Sequence, residues 1–230
     1  MKRARCLPAI ALMLFASPVA AQEFDRGIKA YERQDYQAAL EEFRPLAEEG
    51  HPAAQYRLGD MYFGGLGVPK DYEEAERWTR QAASQGHPSA QAGLGAQYEL
   101  GKGLEQDYEE AVRWYRKAAQ QDVAWAQHNL GYMYAEGRGV RQSHSEAARW
   151  YEQAAMQGYS FAQTSLGELH EAGKGVPKDL VLAHVWYDLA AAQSSEVAKH
   201  RRGEVAANMS REQVAEAQKL AREWTQNRGE

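Results

Sequence analysis

The sequence predicts an all-α fold, a right-handed α-solenoid of helix-turn-helix repeats, and three observations predict it. Gly59, Gly95, Gly131 and Gly167 stand 36 residues apart. Trp78, Trp114, Trp150 and Trp186 do the same, so four of the six tryptophans hold one repeating position. Within each period, apolar residues at helical spacing are followed by a glycine-bounded turn and a second helical pattern. A fixed period of this size marks stacked supersecondary units. The core of such an array grows by adding neighbours, which overrides any domain count taken from length.

Ahead of the repeats, Lys2, Arg3 and Arg5 precede an apolar run from Leu7 to Ala16, and Ser17-Pro18 leads into Val19-Ala20-Ala21. That order is expected of a secretory signal peptide spanning residues 1–21 with cleavage after Ala21. The apolar run falls short of the ~20 residues a membrane-crossing helix needs. An uncleaved amphipathic anchor is the alternative. Cys6, the one cysteine, would be lost with the signal, leaving a mature chain without disulfides or thiolates. The expected location is periplasmic or secreted. Removing Lys2, Arg3 and Arg5 leaves 24 of 27 basic residues against 32 acidic ones, a formal charge of −8. So acidic a chain is a poor candidate for nucleic acid or anionic membrane, both of which reward basic patches.

Residues 22–50 read as a helix pair, with Asp35 placed to cap the second helix and Gly50 to end it. The pair resembles a tetratricopeptide unit, with Gly27, Ala39 and Phe43 at matching positions. Pro45 departs from that pattern and is expected to kink or weaken the second helix by removing a backbone donor.

Residues 51–195 hold four full repeats. Each first helix carries a small residue, then Leu-Gly, then an aromatic: Ala54, Leu58, Gly59 and Tyr62 in the first, through Ala162, Leu166, Gly167 and His170 in the last. These positions share one helical face. A glycine inside a helix costs about 1 kcal/mol against alanine, and its fourfold recurrence predicts helices too close for a side chain. His170, where the other repeats have tyrosine, reads as packing rather than as a ligand. The turns GLGV, GKGL, GRGV and GKGV join two helices and lack the strand a phosphate loop requires. Their glycines are expected to supply positive φ.

Each second helix opens on a cap: Asp71, Asp107, Ser143 or Asp179. Glu74, Glu110 and Glu146 complete a capping-box pattern in the first three. Behind the cap, Ala75, Trp78 and Ala82 and their counterparts form the expected buried stripe. Each indole offers about 150 to 250 Å2 for burial, so the tryptophans are expected to be the wedges between layers. Thr79 follows Trp78 where the later repeats have Tyr115, Tyr151 and Tyr187. Residues 196–230 form a degenerate unit, in which Gly203 keeps the period and Ser210 with Gln213 caps a last helix. That helix has an apolar stripe of Val214, Ala217, Leu220 or Ala221, and Trp224. Arg211, Glu216, Lys219 and Arg222 give it the polar outer face of a terminal cap.

In-phase Leu-Gly-x-x-Tyr, Gly-x-Gly-Val, Asp-Tyr-x-x-Ala and Trp-Tyr-x-x-Ala-Ala resemble the Sel1-like repeat family, a relative of the tetratricopeptide repeat, over almost all of the mature chain. The departures are local: Leu104, Ser143-His144, Asp179-Leu180 and Thr79. The resemblance implies a protein-interaction scaffold, since relatives include envelope adaptors, regulators of sensor proteins and binders of host proteins. It also implies binding through first-helix positions not used in packing, on the concave face. Carried over by the Leu-Gly register, these are Ala53, Tyr56, Asp60 and Phe63; Ser89, Ala92, Ala96 and Glu99; Trp125, His128, Tyr132 and Ala135; and Phe161, Thr164, Glu168 and Glu171. Trp125 and Phe161, at one register in adjacent repeats, read either as an anchor patch for a peptide or as packing against a neighbouring helix.

Catalytic chemistry has no visible seat. Seven histidines lack metal-ligand spacing, and His51-Pro52 and His87-Pro88 suit helix starts. Successive carboxylates such as Glu73-Glu74 belong to helix N-termini, where the dipole favours them. The expectation is therefore a non-enzymatic monomer that binds a protein or peptide partner, with no metal and no cofactor. The rival classes are a β-lactam-binding or hydrolysing enzyme, described for cysteine-rich relatives whose paired cysteines this chain lacks, and a structural subunit of an envelope assembly.

Overall fold

A computed structural model describes residues 18–227, which form twelve α-helices and no strand. They are α1 (Pro18–Glu32), α2 (Tyr36–Glu48), α3 (Pro52–Gly64), α4 (Tyr72–Ser84), α5 (Pro88–Leu100), α6 (Tyr108–Ala119), α7 (Ala124–Glu136), α8 (His144–Met156), α9 (Ser160–Ala172), α10 (Leu180–Ala191), α11 (Glu196–Ala206) and α12 (Arg211–Gln226). From α1 to α11 each helix packs on the next, which makes the chain an α-solenoid of stacked helix pairs. Residues 1–17 of the expected signal peptide 1–21 lie outside the described residues, and Pro18 to Ala21 form the first turn of α1.

The repeat's punctuation works as its chemistry dictates. Gly65, Gly101, Gly137 and Gly173 end the first helices in the left-handed region, at φ between 63° and 73°. The second glycine of each turn also has positive φ. It further needs to be small: a Cβ on Gly103 would overlap the Tyr72 carbonyl of the preceding repeat. Asp71 and Asp107 accept two backbone N–H groups each at the starts of α4 and α6. The expected capping boxes form only halfway, because the Asp71 N–H already donates to the Tyr62 carbonyl across the turn. Glu74, Glu110 and Glu146 instead receive Arg77, Arg113 and Arg149 three residues on. A reciprocal box forms at Ser210 and Gln213. At Pro45, α2 continues to Glu48 rather than ending.

The tryptophans are not the innermost wedges. Trp78 and Trp150 are buried at 7% and 8% exposure, but Trp114 and Trp186 are half-buried, with the Lys117 ammonium 3.7 Å from the Trp114 ring centre. The enclosed ring is the tyrosine one residue later, Tyr115 and Tyr187 at 0% and Tyr151 at 4%. The reason lies on the first helix. A Cβ on Gly95, Gly131 or Gly167 would fall within 2.7 to 2.8 Å of the Tyr115, Tyr151 or Tyr187 ring, so each glycine is the seat of a tyrosine. In the N-terminal pair Phe43 fills the same role against Gly27. The Tyr115 hydroxyl reaches Glu99 at 2.7 Å and the Tyr187 hydroxyl reaches Glu171 at 2.8 Å, so each buried ring keeps its polar end paired.

A second periodic feature joins the layers. Gln55, Gln91, Gln127 and Gln163 are buried, and each donates to the carbonyl of Ala47, Ala83, Ala119 or Ala155 in the preceding helix. Their amide oxygens accept from Gln85, Gln121, Gln157 and Gln193, thirty residues on. Buried amides satisfied in this way fix the register between repeats.

The C-terminal end departs from simple stacking. Helix α12 packs mainly across α10, with Ala217 and Ala221 buried against Val185 and Leu189 and Trp224 edge-on to Trp186 at 6.2 Å. Ala221 faces the core and Leu220 faces out, while Arg211, Glu216, Lys219 and Arg222 are exposed.

Candidate functional site

Because the even-numbered helices bring the tyrosines inward, the free positions of the odd-numbered helices decide what the chain can bind. Tyr56, Asp60, Phe63, Ala96 and Trp125, five of the residues expected there, meet at one cavity. Tyr56, Asp60 and Phe63 from α3 and Trp125 from α7 line a space of about 160 Å3 together with Gly59, Thr79, Gly93, Ala96 and Gln97. Tyr56 stacks on His87 at 5.1 Å, Phe63 stands edge-on to Tyr72 at 5.1 Å, and Trp125 is edge-on to Tyr115 at 6.3 Å. All three walls are therefore held from behind. Asp60 accepts the Tyr31 hydroxyl at 2.7 Å, and the Arg57 guanidinium lies over both the Tyr31 and Tyr56 rings. Burial raises the Tyr56 pKa, Asp60 adding to the effect and Arg57 opposing it, so the phenol stays protonated.

His128, Tyr132, Phe161, Thr164 and Glu168 lie further along. Tyr132 and Glu168 line a larger concavity of about 570 Å3 with Tyr151, Ser165 and Arg201. His128 sits among Tyr151, Tyr159 and Phe161, with its ring 5.3 to 6.3 Å from theirs. Burial depresses its pKa, partly offset by Asn129, so the ring is neutral and belongs to the aromatic cluster. Phe161 is the cluster's open edge, 66% exposed. Thr164 turns its hydroxyl back to the Ser160 carbonyl at 3.0 Å, a bond within its own helix. Trp125 and Phe161 thus belong to separate aromatic groups, one on Tyr115 and one on Tyr159 and His128.

Thr79, Gly93 and Gln97 fall outside the expected set, Thr79 and Gln97 because they stand at positions otherwise used for packing and Gly93 because it carries no side chain. Their signal is departure from the repeat. Gln97 replaces Met61, Met133 and Leu169, Gly93 replaces Arg57, Asn129 and Ser165, and Thr79 replaces three tyrosines. Gln97 is 3% exposed, and its amide oxygen has no hydrogen-bond partner. No group of three or more His, Cys, Asp and Glu among the described residues is arranged to hold a metal ion. Nor is any described helix long and apolar enough to cross a membrane.

Comparison with known proteins gives these positions a family context. The Sel1 repeat model matches residues 52–87, 88–123, 126–159 and 160–195. A Sel1 repeat protein from Oxalobacter formigenes is 33% identical with a TM-score of 0.76, over 87% of this chain and 82% of that one. A protective antigen present in uropathogenic Escherichia coli strains, displaying an SLR fold, is 34% identical with a TM-score of 0.75 over 80% of this chain. The match spans 40% of that antigen's own length. A Sel1 repeat protein from Klebsiella pneumoniae, 18% identical with a TM-score of 0.56 over 81% of this chain and 93% of that one, shares the fold. Comparison with curated protein sequences returns no match. With four matched repeats and two relatives a third identical along most of its length, the chain belongs to the Sel1 repeat family.

Proposed function

We propose that the chain is an exported, non-enzymatic scaffold that holds a protein or peptide segment on the face formed by its odd-numbered helices. Sel1 repeats generally serve as protein-interaction scaffolds. The observation that carries the proposal is a division of labour within the repeat. Identical residues (Leu, Gly, the buried glutamine) pack the layers, while the intervening first-helix positions differ from repeat to repeat and include half-exposed Tyr56, Phe63 and Trp125 and exposed Phe161. Aromatic side chains left partly in water on one face of a rigid frame are what a binding surface needs at its anchors. Export is supported by the basic, apolar and small-residue order of residues 1–21, and places the partner in the periplasm or outside the cell.

Crosslinking capture from the native envelope tests this function. Wild-type chain is expected to retain a polypeptide that a Trp125→Ala, Phe161→Ala variant loses, with the variant still folded by helical circular dichroism. Full capture by the folded double variant would remove these rings from the binding surface. Turnover of a chromogenic β-lactam by purified protein would overturn the non-enzymatic assignment.

A further inference from the structure

At the cavity formed by α3, α4, α5 and α7 the repeat is broken three times at once. After the repeated tryptophan, α6, α8 and α10 carry Tyr115, Tyr151 and Tyr187, each seated on a helix glycine, whereas α4 carries Thr79 over Gly59. Gly93 withdraws a side chain from the next layer, and Gln97 puts an amide where the other repeats have methionine or leucine. These three changes lie on two helices, yet all line the same space of about 160 Å3. A void of about 150 Å3 holds one benzene-sized ring. The space is thus what remains when a tyrosine ring is left out of the repeat and its surroundings are not refilled.

We infer that this cavity is a socket for a tyrosine side chain of the bound polypeptide, whose ring replaces the one Thr79 lacks and whose hydroxyl donates to Gln97. The source of the ring rests on the scaffold function proposed above; the socket does not. The walls supply the ring contacts: Tyr56, Phe63 and Trp125 are aromatic, and each is braced from behind by His87, Tyr72 or Tyr115. The polar end is fixed by elimination. In the second and fourth repeats the tyrosine hydroxyl meets a carboxylate four residues after the helix glycine, Glu99 or Glu171, but here that position is Phe63, as it is Ala135 in the third repeat. A ring entering from solvent brings its hydroxyl to the closed end, where the unpaired Gln97 oxygen is the buried acceptor. A purely aliphatic side chain would leave that oxygen unpaired, which is the basis of selectivity.

p-Cresol, the tyrosine side chain cut at its β carbon, is the probe, titrated into the full chain with the Trp125 indole N–H followed by NMR. Saturable shifts are expected, with toluene binding about tenfold more weakly for want of the hydrogen bond. Thr79→Phe supplies the missing ring without setting a hydroxyl against Phe63 and is expected to abolish p-cresol binding. Gly93→Leu blocks the same space from the other wall and serves if the first variant does not fold. A Cβ at Gly93 meets Thr79 and Tyr56 at an ordinary 3.5 and 3.7 Å. Gln97→Met is expected to erase the preference for p-cresol over toluene while toluene still binds. Absence of saturable p-cresol binding, or binding that survives both Thr79→Phe and Gly93→Leu, overturns the socket. Undiminished envelope capture by a Thr79→Phe chain that no longer binds p-cresol overturns the assignment of the ring to the partner and leaves the scaffold standing. p-Cresol binding by a wild-type chain that captures no polypeptide supports the socket and overturns the scaffold.

Discussion

The Tyr115 ring lies directly on Gly95, so close that a methyl group there would come within 2.8 Å of ring carbon Cδ1. Two residues earlier on another face of the same helix, Gly93 has room for a methyl group, which would meet Thr79 and Tyr56 at an ordinary 3.5 and 3.7 Å. The pair separates two effects that glycine substitutions usually mix. Alanine gains about 1 kcal/mol over glycine inside a helix, whereas overpacking a tight contact costs about 1 to 3 kcal/mol. Gly93→Ala is therefore expected to hold or raise stability in urea melts, and Gly95→Ala to lower it by about 1 to 2 kcal/mol. Equal effects at the two positions would show that Tyr115 yields freely.

Trp114 and Tyr115 test which aromatic is structural. Truncating a fully buried aromatic costs about 3 to 5 kcal/mol, and Tyr115→Ala also strips Glu99 of its donor. Trp114 is half-buried beneath Lys117, so Trp114→Ala is expected to cost about 1 to 2 kcal/mol, in proportion to the smaller area removed from water. Chemical denaturation of the two variants checks the order. A larger loss at Trp114 would return the indoles to the core.

The reversal of Trp and Tyr shows what a single sequence yields here. Period, helix positions, turn glycines and caps were legible because each follows from local backbone chemistry repeated four times. That Gly95 needs room was legible too, but the ring occupying the room was not, because Trp114 and Tyr115 are adjacent and only helix orientation decides which points inward. The candidate site was legible in halves. Tyr56, Asp60, Phe63 and Trp125 follow from register, whereas Thr79 and Gln97 sit at packing positions, Gly93 carries no side chain, and the three acquire meaning once their common cavity is seen. The ladder of Gln55, Gln91, Gln127 and Gln163 was present in plain periodicity, yet long polar residues read as surface until their Ala47, Ala83, Ala119 and Ala155 carbonyl partners are in place.

That ladder carries a prediction of its own. Gln127→Ala removes one of two donors from the Ala119 carbonyl, which keeps the Asp122 N–H, and removes the acceptor of the exposed Gln157 amide. A hydrogen bond lost without orphaning a buried group costs about 0.5 to 1.5 kcal/mol, so a loss of about 1 to 2 kcal/mol for the two bonds is expected in denaturant melts. Gln157→Ala, which removes an exposed side chain, is expected to cost under about 1 kcal/mol. A double-mutant cycle then reads the coupling between the two amides, and a zero coupling energy would show that they do not act as one unit.

Acid sensitivity follows from the histidines that start α3 and α5. His51 Nδ1 accepts the Ala54 N–H at 3.3 Å and His87 Nδ1 accepts the Ala90 N–H at 3.2 Å. A ring nitrogen can accept only when it is unprotonated. Burial lowers both pKa values, and for His87 the nearby Arg57 and His51 lower it further. With the folded pKa below the unfolded value of about 6.5, the capping contribution is fully present above that pH and is lost as pH falls through the folded pKa. Asparagine caps a helix equally well and does not titrate. The melting temperature of wild-type protein is therefore expected to fall more steeply between about pH 7 and 5 than that of the His51→Asn, His87→Asn variant. His128 and His184, also depressed by burial, remain in both chains and set a common residual slope. Circular dichroism melts across this range read the difference, and coincident slopes would mean that the two caps survive protonation.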